Sequence, residues 1–80
     1  MEDEQIMGRI SALVDEEERL RYRRQEAPLS AEELRRVQQI EVALDQCWDL
    51  LRQRRARREY GEDPNAAGVR DAETVERYVQ

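Results

Sequence analysis

Five arginines fall within seven consecutive positions of this chain: Arg52, Arg54, Arg55, Arg57 and Arg58. A guanidinium holds a phosphate or a carboxylate equally well, through paired charge-assisted hydrogen bonds. The cluster therefore admits two kinds of chemistry. It could grip a nucleic acid or a ribonucleoprotein machine such as the ribosome or RNA polymerase. Alternatively, it closes one end of a helix against acids elsewhere in the molecule. The second reading is favoured, because the net charge is −5, there is no lysine, and no set of aromatics interleaves the arginines to stack bases. At about 100° per helical residue, Arg55 and Arg58 continue the apolar stripe, Arg52 and Arg54 flank it, and Arg57 faces water. Such a cluster encircles its helix instead of lining one side of it.

Other residue types that carry chemistry are sparse. Glu17 and Glu41 sit at apolar-stripe positions and resemble half of a bundle metal site. Such sites add Glu-x-x-His pairs, and this chain contains no histidine. The two glutamates are expected to pair with arginines or to set register, with no metal. Cys47 lacks any histidine base and is expected as a small apolar residue beside Trp48. Trp48 is expected as a core anchor, and it completes the candidate interaction residues with the five arginines. No glycine-rich phosphate loop and no catalytic triad is present, so neither catalytic residues nor a cofactor are expected, and the protein is not expected to be an enzyme.

The elements that position these residues follow from composition and spacing. Charged residues make up 41% of the 80 positions, and only two prolines and three glycines interrupt them. That balance suits long helices with a narrow buried stripe. Ile6, Ile10, Leu13, Glu17, Leu20 and Arg24 recur at alternating spacings of four and three, which predicts a first helix over residues 3–26. Pro28 stops it. Ser30 with Glu33 forms a capping box, and Leu29 with Leu34 is spaced as a hydrophobic staple, so 27–30 is a turn. A second helix then runs over about 31–60, with Leu34, Val37, Glu41, Leu44, Trp48 and Leu51 as its stripe, widened by Ile40 and Cys47, and Gly61 ends it. Asp63, Pro64 and Asn65 read as a turn. Asp71 caps a short last helix that presents Val75, Tyr78 and Val79 on one side.

The fold class is thus all-α: an antiparallel two-helix coiled-coil hairpin with a short C-terminal helix, in one domain. Folding the chain about residues 28 and 29 places residue i opposite residue 57 minus i. Arg54 and Arg55 then arrive beside Glu2, Asp3 and Glu4, at the helix C-terminus where the dipole favours cations. One cysteine excludes an internal disulfide and suits a reducing cytoplasm. The N-terminus lacks the pattern of a signal peptide, and no stretch is apolar enough to span a membrane.

The stretches "LDQCWDLLRQRRARREYGEDPNAAGVR" (44–70), "RISALVDEEERLR" (9–21) and "VERYVQ" (75–80) resemble an actinobacterial family of small proteins, the domain of unknown function 2630. The segment from Gln46 to Arg55 is the most specific part of the likeness. Glu18 and Arg19 stand where that family tends to carry histidine, and Asp71 stands where it tends to carry proline. The resemblance implies a cytoplasmic actinobacterial protein and brings no activity with it. A lone hairpin of this size is marginal. The expected role is therefore a non-catalytic interaction or oligomerisation module, self-associating as a homodimeric four-helix bundle or binding a protein partner.

Overall fold

The computed structural model describes residues 2–79, with side chains through Arg77. The order is α1 (Asp3–Glu26), α2 (Ala31–Glu59), a 3-10 turn (Pro64–Ala66) and α3 (Ala72–Val79), with no strand among the described residues. The two long helices pack side by side as a hairpin, in a molecule 50 Å long.

Each boundary has a local cause. Asp3 and Glu4 occupy the first turn of α1, where the dipole favours negative charge. Gln5 Oε1 accepts from the Glu2 N–H at 2.8 Å, a cap the sequence reading did not identify. Ala27 is extended, as the residue before a proline prefers, and α1 ends at Glu26. Ser30 and Glu33 close a reciprocal box: Glu33 N–H donates to Ser30 Oγ at 3.1 Å, and Ser30 N–H donates to Glu33 Oε1 at 3.0 Å. At the far end of α2, Glu62 N–H bonds Arg57 C=O and Gly61 N–H bonds Arg58 C=O, the two bonds of a Schellman motif. The motif needs a left-handed residue, and Gly61 supplies it at φ 72°. A Cβ there would meet no other atoms within 4 Å, so only the backbone opposes a side chain. Gly61→Ala is therefore expected to cost about 1 kcal/mol in urea unfolding, with unchanged helical content.

The core is small. Ile6, Ile10 and Leu13 of α1 meet Ile40, Cys47 and Leu50 of α2, with Val14, Leu20, Ala43, Leu44, Leu51 and Ala67 packed around them. On α1 the expected stripe is buried at Ile6, Ile10 and Leu13 and partly buried at Glu17 and Leu20, whereas Arg24 at its end is exposed. On α2 Ile40 and Cys47, expected at the edge of the stripe, lie at its centre with Leu50 and Arg54, while Leu44 and Leu51 of the expected stripe pack at its margin. Leu34 and Trp48 are correspondingly exposed, at 47% and 43%.

The rotation has a visible cause. The segment after Gly61 folds back along α2, so α2 divides its surface between α1 and that segment. Gln46 Nε2 donates to Arg70 C=O at 3.2 Å, and Gln53 Nε2 donates to Gly68 C=O at 2.9 Å. Between them the buried Asp49 carboxylate accepts from Gln53 and pairs with Arg70 at 3.5 Å. Gln46, Asp49 and Gln53 thus form a polar ladder at helical spacing that catches the returning chain by its carbonyls. Asp71 caps α3 as expected, accepting from Thr74 N–H at 2.8 Å, and α3 packs on α2 with Val75 fully buried. The side chains of Tyr78 and Val79, expected beside Val75, lie outside the described residues.

Candidate functional site

The arginine cluster meets the start of α1 where the hairpin register places it. Arg54 Nε donates to Asp3 Oδ1 at 2.5 Å, and residues 3 and 54 satisfy the sum of 57 expected from the turn. The Arg54 Nη1 donates to Pro64 C=O at 3.2 Å and to Asn65 Oδ1 at 3.0 Å, while Glu2 approaches Nη2 at 3.9 Å. The Arg54 side chain is only 5% exposed. One guanidinium therefore ties α1, α2 and the 3-10 turn together. Arg58 grips the same Asp3 carboxylate from its exposed side, with Nη2 donating to Oδ2 at 2.8 Å.

The remaining cluster members fall differently from expectation. Arg54, expected beside the stripe, continues it. Arg55, expected on the stripe, is 79% exposed and pairs with Glu59. Arg58 is likewise exposed, not seam-facing. Arg57, expected to face water, is partly buried and pairs with Glu62 at 3.3 Å. All four shifts are the same one-residue rotation of α2. Arg52 is exposed and pairs with no carboxylate among the described residues. The cluster is thus a clasp in which, among the described residues, only Arg52 pairs with no carboxylate, and no continuous basic stripe forms. Of the two glutamates singled out by spacing, Glu17 pairs with Arg21 at 3.3 Å, and Glu41 is exposed.

Several carboxyls sit below their ordinary range because the fold surrounds them with donors. Asp3 is lowered by its hydrogen bonds from Arg58 and then Arg54, and Glu16 by its hydrogen bonds from Arg36. Glu33 is lowered by the Ser30 backbone N–H, and Asp71 by the Thr74 backbone N–H. A carboxyl lowered in the folded state stabilises that state above its ordinary value, here 3.8 for Asp and 4.5 for Glu. That contribution is lost as pH falls through the lower folded value. The melting temperature is therefore expected to stay level from neutrality to about pH 5 and to fall below it. Asp3→Asn should start lower at neutral pH and decline less steeply in acid, which thermal scans across pH will show. Burial pushes the Cys47 thiol up, with Arg9 beside it pulling the other way.

A second feature lies on the side of the hairpin away from the returning segment. Met7 and Val14 lie roughly 90° from the buried line of α1, and Leu44, Trp48 and Leu51 lie a similar turn from that of α2. In an antiparallel pair both displacements carry these residues to the same flank. Gln46, Asp49 and Gln53 lie on the opposite flank, under the returning chain. Trp48 and Met7, at 43% and 44% exposure, are large apolar groups left open to solvent there. The exposure of Trp48 corrects its expected role as a core anchor.

Among the described residues no group of three or more carboxylate, thiol or imidazole side chains converges as a metal site, and no helix is long and apolar enough to cross a membrane. A family model described as "Protein of unknown function (DUF2630)" matches residues 2–80. Uncharacterized proteins of Mycobacterium tuberculosis and Mycobacterium bovis are each 48% identical over 78 residues, covering 96% of this chain and 90% of theirs. No solved structure matches.

Proposed function

The chain belongs to the DUF2630 family, whose description carries no activity, and we propose that it is a non-catalytic cytoplasmic module that self-associates through the Met7–Trp48 flank. The observation that carries this reading is the exposure of Trp48 beside Met7 on the flank that the C-terminal segment leaves open. Tryptophan is among the residues most enriched at the energetic centres of interfaces, and an exposed apolar flank of a slender hairpin is the surface that a four-helix bundle would cover. The small core adds to the case. A domain of this size has little stability to spare, and a second copy would bury what the hairpin leaves open.

Trp48 is the chain's single tryptophan, so its emission reports on this flank without a label. Light scattering at high micromolar concentration is expected to give twice the monomer mass, and dilution should shift the emission to longer wavelength as the flank reopens to water. A monomeric mass at that concentration refutes the reading. Salt separates it from phosphate binding by the arginine cluster. Burial of an apolar flank responds weakly to salt, whereas nucleic-acid binding falls steeply with each phosphate neutralised.

A further inference from the structure

A cavity of about 290 Å³ opens between α1, α2 and the returning segment, on the flank opposite Trp48. Its walls are apolar: Ile6 from α1, Ala43, Cys47 and Leu50 from α2, and Val69 from the segment. Val69 is held in place from both sides, because the carbonyls of its neighbours Gly68 and Arg70 are the two bonded by Gln53 and Gln46. Arg9 is the charged residue in the lining, and among the described residues no carboxylate pairs with it. Gln46, the remaining polar residue of the lining, already commits its amide to the Arg70 carbonyl. The cavity thus has the composition of a small-ligand site: a largely apolar chamber near the lower end of ligand-pocket volumes, with one guanidinium, Arg9, that contacts the Cys47 thiol and has no carboxylate partner among the described residues, to orient what enters.

We propose that this cavity binds a short-chain acyl carboxylate, its hydrocarbon against Ile6, Ala43, Leu50 and Val69 and its carboxylate on the Arg9 guanidinium. The chemistry is selective in both halves. The walls are mostly apolar and offer a polar body little beyond the Gln46 amide, and a guanidinium prefers a carboxylate to a neutral head group through paired hydrogen bonds. The Cys47 thiol at the wall takes no part in binding and serves as a reporter, since an occupant would cover it.

The test uses octanoate, with 1-octanol at matched concentration as the neutral control, and follows alkylation of Cys47 by iodoacetamide with mass spectrometry. At several times the dissociation constant, octanoate is expected to slow alkylation by roughly fivefold or more. Octanol should slow it distinctly less. Arg9→Gln, at an exposed position, should erase the difference between the two. In wild-type protein, octanoate should also move the amide resonances of Arg9, Ala43 and Val69, a reading independent of alkylation. Absence of protection and of resonance shifts overturns the proposal, as does equal protection of the wild type and Arg9→Gln. Trp48→Glu acts on the other flank and should leave octanoate binding intact, so failure of self-association and failure of this site are read separately.

Discussion

Arg54→Met is expected to lower the melting temperature by roughly 10 °C or more, a loss of about 2–3 kcal/mol. Arg54 is the cluster arginine that is almost fully buried, and its removal leaves the Pro64 carbonyl and the Asn65 amide without their donor. Breaking a wholly buried ion pair typically costs about 3–5 kcal/mol. The estimate here is lower because Asp3 keeps partial access to water and retains Arg58. For so small a domain even this is a large share of the total stability. The control is Arg55→Met, which removes the same charge three-quarters exposed and should change stability by no more than about 0.5 kcal/mol. If the two variants melt alike, Arg54 is not the tie between the hairpin's open end and the 3-10 turn. A subsidiary signature is amide exchange. In Arg54→Met it should quicken over residues 61–67 first, because their hold on α2 is what the substitution removes.

If the chain self-associates as proposed, Trp48→Glu is expected to convert that dimer to monomer over the whole accessible concentration range. Interface tryptophans commonly carry about 2 kcal/mol or more, and a carboxylate placed against its own symmetry mate adds repulsion, so association should weaken by at least about 30-fold. The helical circular dichroism should persist, because Trp48 stands outside the cluster of buried core residues. The melting temperature of the wild type should rise with concentration, and that of Trp48→Glu should not. An unchanged mass for Trp48→Glu would move the interface elsewhere. Met7→Glu, across the same flank, should reproduce the effect, whereas Val69→Glu on the opposite flank should leave the mass alone.

The sequence by itself determined the helices and where they stop. Pro28, the Ser30–Glu33 box, Gly61 and Asp71 act through bonds to residues within five positions, so their effects were legible without knowing the fold. The register of the hairpin was legible as well, because a short turn leaves little freedom in what faces what. Asp3 meets Arg54 for that reason. The stripe on α1 could be read because its apolar residues form one narrow line. The face of α2 could not. Its apolar residues Val37, Ile40, Leu44, Cys47, Trp48, Leu50 and Leu51 span a wide arc. Two stripes one residue apart fit that arc equally well. Tertiary structure chose between them: the chain after Gly61 returns along Gln46, Asp49 and Gln53, and α2 turns to serve both neighbours. That rotation buries Arg54 in place of Arg55 and opens Trp48 to solvent. Local bonds carry their own geometry in the residue order, whereas the rotation of a helix is set by everything packed around it.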